Sequence, residues 1–497
     1  MIASRPWRIG SLAHWLIGLS ALALGALSAL GSSEWLAFAG VALAILIAAF
    51  TLPFTLAAPL LAVFAAAQFY FSLPGTAFTL RGALLFVVAL AARRWGGLSS
   101  PPKLKTWMFP AALFLCAAFI AALDATNRYS ALKGVYDWLA IFLTAFVASE
   151  IVASQQTLTR VVRASIAVGI AQALLGLAQA AFSVDQVVAA LRLPVNDFFF
   201  QPDLLRERLD SLAFNWILVD RVAPFGNFIN AIDYAIFLAA IVPLGIAIIV
   251  NHPERSEAES KGIASQKSLA MTTKIILFAG IVAMIAAILL TLKASGIFAL
   301  GAASATLGIF ILPRLSARAR VIIITFAFVA LALAVPFAGA ISECGSFLIA
   351  RELGANTATG RLAVWAQLIA ALPQRALVGF GLNNALDLIA PTPTLNGGAF
   401  AFTQPAPESG YVAALIETGL IGFSALISLF ALTLARASRN ARTFKNPIHV
   451  GILAAIVALL IGNLTVAGFT ADQNGMLLGM LIGIVVRDWT RSVEIGA

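Results

Sequence analysis

One carboxylate, Glu408, stands directly before an apolar run, in the segment Pro407-Glu408-Ser409-Gly410-Tyr411. A carboxylate at a membrane boundary with cations nearby could act as a general base. It could also be a first-turn acid that complements the dipole of the following helix. The sequence leaves both interpretations open.

A basic residue, Arg361, lies at the start of a segment whose apolar residues recur at helical spacing, with Thr359 as a plausible N-cap and Pro373 as a stop signal. A cation in the first turn opposes the helix dipole. The arrangement makes sense if Arg361 and the free backbone N–H groups hold an anionic group such as a phosphate. The alternative is an arginine that extends to solvent.

Two further cations are tied to the ends of apolar runs. Arg221 comes shortly before one run, and Lys293 lies in a connection of a few residues between two runs. Both are therefore expected at a membrane surface, where a cation can bind a substrate anion. For Lys293 alone, a plain interfacial anchor is the alternative.

The elements that position these residues are membrane helices. Of the 497 residues, 61% are hydrophobic and only 11% are charged, whereas soluble proteins are about a quarter charged. Runs of about 20 apolar residues can each cross the hydrocarbon core. The sequence predicts an all-α bundle of about 12–14 spans, at 11–31, 34–51, 54–72, 77–93, 106–124, 131–150, 160–182, 228–250, 275–291, 296–312, 321–338, 409–435, 449–467 and 473–487.

The distribution of basic residues predicts the orientation. Most of the 32 Lys and Arg residues fall in alternate short connections, which places both termini in the cytoplasm. The net charge of +10 is then mainly an orientation signal, and nucleic acid is not an expected partner. Residues 1–497 are predicted to form one integral membrane domain with two long outer loops, 183–227 and 339–408, that contain amphipathic helices.

Residues 360–422 resemble the signature region of the bacterial O-antigen ligases and Wzy-type polysaccharide polymerases. The resemblance rests on Gly360-Arg361, Trp365, Pro373 and Gly379-Phe380-Gly381, followed by the segments Glu408-Ser409-Gly410-Tyr411 and Glu417-Thr418-Gly419-Leu420-Ile421-Gly422. Arg221, with the Gly226–Asn230 stretch, is similar to the family's Arg-x-x-Gly…Asn segment. Order, spacing and side of the membrane agree.

The resemblance implies a metal-independent, cofactor-free glycosyltransferase in the bacterial inner membrane, acting on the periplasmic face. Its donor would be an oligosaccharide on undecaprenyl diphosphate, with a flippase and a chain-length regulator as further partners. Arg221, Lys293 and Arg361 would bind the diphosphate, and Glu408 would deprotonate the attacking hydroxyl. If attack is in line, the anomeric configuration inverts.

Two departures from the family pattern bear on the acceptor. Glu408 stands where the ligases have histidine, and Lys293-Ala294-Ser295-Gly296 stands where the family often has Ser-Arg. Both favour the polymerase branch over a ligase that transfers O-antigen to lipid A–core. A transporter or flippase of the same glycans is a third hypothesis, and a non-catalytic scaffold a fourth. Few charges lie in mid-span, and no repeated half is evident, which disfavours transport.

Overall fold

The computed structural model describes residues 34–66, 70–72, 79–96, 105–191, 224–226, 228, 231–250, 264–291, 293–314, 355–389, 392–396, 399–403, 407–444, 446–466, 468–469, 472–487 and 489. In these ranges the helices are α1 (Glu34–Thr51), α2 (Phe54–Ala66), α3 (Gly82–Gly96), α4 (Met108–Leu123), α5 (Arg128–Ile151), α6 (Gln155–Ala181), α7 (Val184–Leu191), α8 (Ala231–Val250), α9 (Ala264–Thr291), α10 (Ala294–Ile311), α11 (Ala355–Ala371), α12 (Gly410–Thr443), α13 (Pro447–Gly462) and α14 (Asp472–Val486). Short 3₁₀ turns follow at Leu312–Arg314, Leu372–Arg375 and Ala385–Leu388.

The prediction of an all-α polytopic bundle is confirmed. Six helices in the described ranges are long and apolar enough to cross a bilayer: α5, α6, α8, α9, α10 and α12. Shorter apolar helices include α2, α4 and α13. The predicted spans 11–31 and 321–338 lie outside the described residues, so the total number of spans stays a prediction.

Two small antiparallel hairpins were not predicted. Strand β1 (Tyr70–Ser72) pairs with β2 (Thr79–Arg81), so the spans expected at 54–72 and 77–93 are wrong at the ends that face each other. Strand β3 (Thr392–Asn396) pairs with β4 (Ala399–Thr403) inside the second long loop. Each hairpin satisfies its own backbone hydrogen bonds between elements that are otherwise helical.

Polar side chains set several helix starts. Asn127 accepts from the Ser130 backbone N–H at the start of α5 (3.0 Å), and Ser154 accepts from the Thr157 N–H at the start of α6 (3.1 Å). Asn446 caps α13, and the next residue is a proline in the first turn. These residues satisfy N–H groups that have no partner within the helix.

Helix α8 lies at the centre of the bundle. It packs against α6, α9, α10 and α13, and most of its residues are buried. Helix α14 packs closely on α5, because Gly475, Gly479 and Gly483 recur every four residues and bring its backbone against Ile141 and Ala145. Small residues at this spacing allow membrane helices to approach.

Among the described basic residues that predicted the orientation, Arg436 and Arg487 lie at one end of the bundle and bind helix C-termini. Arg487 donates to the Ser149 and Ala153 carbonyls at the end of α5 (3.0 and 3.2 Å), and Arg436 donates to the Val486 carbonyl of α14 (2.8 Å). These carbonyls lack partners in their own helices, and the dipole favours cations there. We call this the inner end and the opposite one the outer end, after the predicted orientation.

Candidate functional site

The amphipathic helix of the second long loop is α11, which lies at the outer end. Val364 and Leu368 are buried against Phe380, Ile389 and Ile416. Leu362 and Ile369, two apolar residues of the pattern at helical spacing, are exposed. The helix therefore packs on the bundle through one face and leaves other apolar side chains exposed.

The prediction that Arg361 lies in the first turn of this helix is wrong. Helix α11 begins at Ala355, so Thr359 and Arg361 both lie inside it. The free N–H groups of a helix belong to its first four residues, which precede Arg361. The helix start therefore gives no reason for Arg361 to share an anion with those N–H groups, although its role in binding a diphosphate stays a prediction. The Arg361 side chain lies outside the described part of the structure.

Glu408 is half-buried just before helix α12. The N-cap of α12 is Ser409, which accepts from the Val412 backbone N–H (3.4 Å), so Glu408 is not a first-turn acid. Its backbone has φ 46°, in the left-handed region. This conformation is uncommon and costly for a glutamate, and such outliers cluster at functional sites.

The neighbours of Glu408 hold it in place from both sides. The Trp365 indole N–H of α11 donates to the Pro407 carbonyl (2.7 Å). On the other side, the Gly410 N–H donates to the carbonyls of Asn463 (3.0 Å) and Val466 (2.9 Å). The signature tryptophan is therefore bonded to the residue directly before the Glu-Ser-Gly-Tyr segment, although 42 residues separate the two in sequence.

Lys293 is also at the outer end, as the N-cap residue of α10, and is only 9% exposed. The described structure thus places Glu408 and Lys293 at the same end of the bundle. Arg221 lies outside the described residues, so its position relative to both stays a prediction.

The two glycine motifs of the signature region form one backbone junction. Helix α12 is interrupted at Gly419 (φ 63°, ψ −171°), which breaks its hydrogen-bond ladder near residues 416–421. Residues 376–381 occupy the break. Four backbone hydrogen bonds join the segments: Phe380 N to Ile416 O (3.1 Å), Gly381 N to Glu417 O (2.9 Å), Leu420 N to Ala376 O (2.8 Å) and Ile421 N to Leu377 O (3.2 Å).

Glycine is required on both sides of this junction. A Cβ on Gly379 (φ 78°) would stand 2.5 Å from the Glu417 carbonyl, and a Cβ on Gly419 would overlap the Leu377 carbonyl. Within a membrane bundle, non-helical backbone is tolerated only where such groups are satisfied by protein or water. The Gly-Phe-Gly and Glu-Thr-Gly motifs are therefore complementary halves of one structure.

Glu417 is a buried carboxylate at this junction, with 8% of its surface exposed. Its Oε1 accepts from the Ala385 backbone N–H (3.4 Å), and the Asn383 backbone N–H also bonds to this carboxyl group. Asn383 and Glu408 are the non-glycine residues with positive φ in the described ranges.

The chain that follows the junction is fastened to the start of α5. The Asn384 Oδ1 accepts from the Asn127 N–H (2.8 Å), and its Nδ2 donates to the Asn127 carbonyl (3.2 Å). Nearby, Arg375 forms an ion pair with Asp124 (2.9 Å). These contacts connect the second long loop to the α4–α5 turn.

The sequence pattern indicated Glu417 only as part of a motif and predicted no role for Asn384. The signal available was glycine spacing, but nothing in the sequence shows that two segments about 40 residues apart exchange hydrogen bonds. Within the described ranges, no group of three His, Cys, Asp or Glu residues is arranged to hold a metal ion.

Residues 279–427 match the family model described as O-antigen ligase (Wzy_C). The match runs from within α9 to within α12 and includes Lys293, Arg361, the backbone junction and Glu408. It covers under a third of the chain. A search of curated proteins gives no match. The match confirms the resemblance that the motifs predicted: over its signature region, the chain is similar to the O-antigen ligase and Wzy family.

Proposed function

We propose that this protein is a membrane glycosyltransferase that polymerises glycan repeat units carried on undecaprenyl diphosphate. It would act on the periplasmic face of the bacterial inner membrane, with both termini in the cytoplasm. The family match supports a membrane enzyme of O-antigen assembly. The observation that carries the proposal is Glu408, a half-buried carboxylate in a strained backbone conformation, held between Trp365 and the cap of α12.

The proposed reaction needs one base and several cations. Glu408 takes the proton of the acceptor hydroxyl while the oxygen of that hydroxyl bonds to the anomeric carbon of the donor. The bond from that carbon to the diphosphate oxygen breaks, and the lipid diphosphate leaves with the electron pair. Arg221, Lys293 and Arg361 stabilise its growing negative charge. No metal ion is required in this proposal, and in-line attack inverts the configuration.

The expected partners follow from this chemistry. The donor and the acceptor are lipid-linked oligosaccharides that reach the site from the bilayer. A flippase would supply them, and a chain-length regulator would act on the growing polymer.

The proposal is tested with Glu408→Gln, which keeps the shape of the side chain but cannot accept the proton. Purified protein is incubated with lipid-linked repeat units, and the product ladder is measured per folded molecule. We expect the rate to fall by about 10²–10⁴. The matched control is Asp185→Asn, which removes an exposed first-turn acid from α7 and should leave the rate unchanged. A ladder formed by Glu408→Gln at the wild-type rate would exclude Glu408 as the base.

The second candidate is a ligase that transfers the glycan to lipid A–core. The description of the matching family favours it, while glutamate in place of histidine favours the polymerase. The same assay separates them when lipid A–core is supplied as the acceptor. Wild-type protein that makes no ladder but transfers a glycan to lipid A–core would establish the ligase.

A further inference from the structure

The segment that joins α13 to α14 lies outside residues 279–427, which match the family model. It nevertheless contacts the chain beside Glu408 and the chain beside Lys293. We call residues 463–466 and 468–469 the connector. The sequence predicted that a membrane span continues to residue 467, but α13 ends at Gly462. The polar residues Asn463 and Thr465 are therefore not part of this helix.

On one side, the connector binds the start of α12, next to Glu408. The Gly410 N–H donates to the carbonyls of Asn463 and Val466 (3.0 and 2.9 Å). A Cβ on Gly410 would stand 2.7 Å from the Phe469 ring, so the two segments are in close contact. The Tyr411 ring also packs edge-on against Phe469, with 5.0 Å between ring centroids.

On the other side, the connector binds the start of α10, next to Lys293. The Thr465 hydroxyl donates to the Ser295 Oγ (2.6 Å), and Ser295 is 5% exposed. Ser295 lies in the same turn as Lys293. This hydrogen bond therefore fastens the backbone that carries the cation.

The connector keeps its own shape through Asn463, which is 1% exposed. The Asn463 Nδ2 donates to the Leu459 carbonyl (2.8 Å), and its Oδ1 accepts from the Gly468 N–H (3.0 Å). A buried amide with donors and acceptors satisfied is a rigid support. The contacts with Gly410 and with Ser295 are thus joined by a segment that is held by its own hydrogen bonds.

We propose that the connector is a positioning element of the active site, in which Thr465 and Asn463 hold the backbones of Lys293 and Glu408 in fixed relative positions. The inference rests on the proposed function, because it assumes that these two residues act on one substrate. Neither Thr465 nor Asn463 needs to touch that substrate. A displacement of about 1 Å in reacting groups can cost about a hundredfold in rate, so such a support affects catalysis without contact.

The test compares Thr465→Val, which removes the hydroxyl at nearly constant volume, with Thr465→Ser, which keeps it. The rate and the donor KM are measured on purified full-length protein in the ladder assay. We expect Thr465→Val to lower kcat/KM about tenfold and Thr465→Ser to stay near wild type. Ser295→Ala should match Thr465→Val, and the double variant should be no worse than either single variant. Thr433→Val is the control, because the buried Thr433 hydroxyl donates only within its own helix, to the Leu429 carbonyl.

Lys293→Ala separates the positioning role from a purely structural one. If Thr465 acts through Lys293, Thr465→Val should have little further effect on kcat/KM in the Lys293→Ala background. Full activity of Thr465→Val alongside impaired Lys293→Ala would overturn the positioning inference and leave the proposed function standing. Full activity of Lys293→Ala would instead overturn the role of Lys293 in the proposed function, and the positioning inference with it. Additive losses from the two substitutions would also overturn the positioning inference.

Discussion

Substitution of Gly419 by alanine tests whether the backbone junction organises the signature region. Gly419 has φ 63° and ψ −171°, a conformation that is essentially restricted to glycine. For other residues, such a conformation costs about 1–3 kcal/mol. The added Cβ would also overlap the Leu377 carbonyl and stand 2.6 Å from the Val378 nitrogen. Because both neighbours are backbone atoms, no side-chain rotation relieves the overlap.

The overlap can be relieved only if residues 376–381 move away from α12. That movement weakens the four hydrogen bonds that satisfy the interrupted helix, and each contributes about 1 kcal/mol. Loss of two of them, added to the backbone cost, predicts that Gly419→Ala lowers the free energy of unfolding by about 4 kcal/mol. Activity per folded molecule should fall as well, because the junction continues into Glu417 and the chain bound to α5.

The assay is denaturant unfolding of the purified protein in detergent, monitored through tryptophan fluorescence. The matched control is Gly301→Ala in α10, where a Cβ would meet nothing within 4 Å. Alanine is a better helix former than glycine by about 1 kcal/mol. The free energy of unfolding of this control should therefore equal or exceed that of the wild type. If the denaturant midpoint of Gly419→Ala equals that of the wild type, the junction does not hold the two motifs together.

Two further predictions concern the outer end. Asn384→Leu leaves the Asn127 backbone groups without their side-chain partners. We expect it to lower the free energy of unfolding by about 2 kcal/mol. The control Asn440→Leu, at the inner end, loses one hydrogen bond of 3.2 Å and should lower this free energy by less. For orientation, reporter fusions after Asn396 should show a periplasmic location and fusions after Arg439 a cytoplasmic one. A cytoplasmic signal at Asn396 would contradict both the topology and the proposed site of reaction.

The sequence predicted most of the fold because membrane helices follow from local composition. Runs of apolar residues located helices as different as α8 and α12, and the basic residues marked one end of the bundle. The errors lie where local composition is a poor guide. Residues 70–72 and 79–81 lie in predicted spans but pair as a hairpin, and the apolar run of α13 continues past Gly462 into the connector.

The candidate site was less predictable, because its parts meet through the backbone. The sequence placed Arg361 in the first turn of α11, since nothing in residues 355–359 marks the earlier helix start at Ala355. Likewise, the hydrogen bonds between residues 376–381 and 416–421 involve main-chain atoms, which all residue types share. Glycine spacing was the visible trace of these contacts, but it did not identify which segments pair.

The two ends of the bundle use cations in opposite ways, and the contrast bears on Lys293. At the inner end, Arg436 and Arg487 donate to carbonyls at helix C-termini, where the dipole stabilises positive charge. At the outer end, Lys293 begins helix α10 and is 9% exposed, and there the dipole disfavours a cation. A diphosphate bound here would be attracted both by the lysine and by the N-terminus of α10. The helix start and Lys293 would therefore act together on the anion in the proposed diphosphate site.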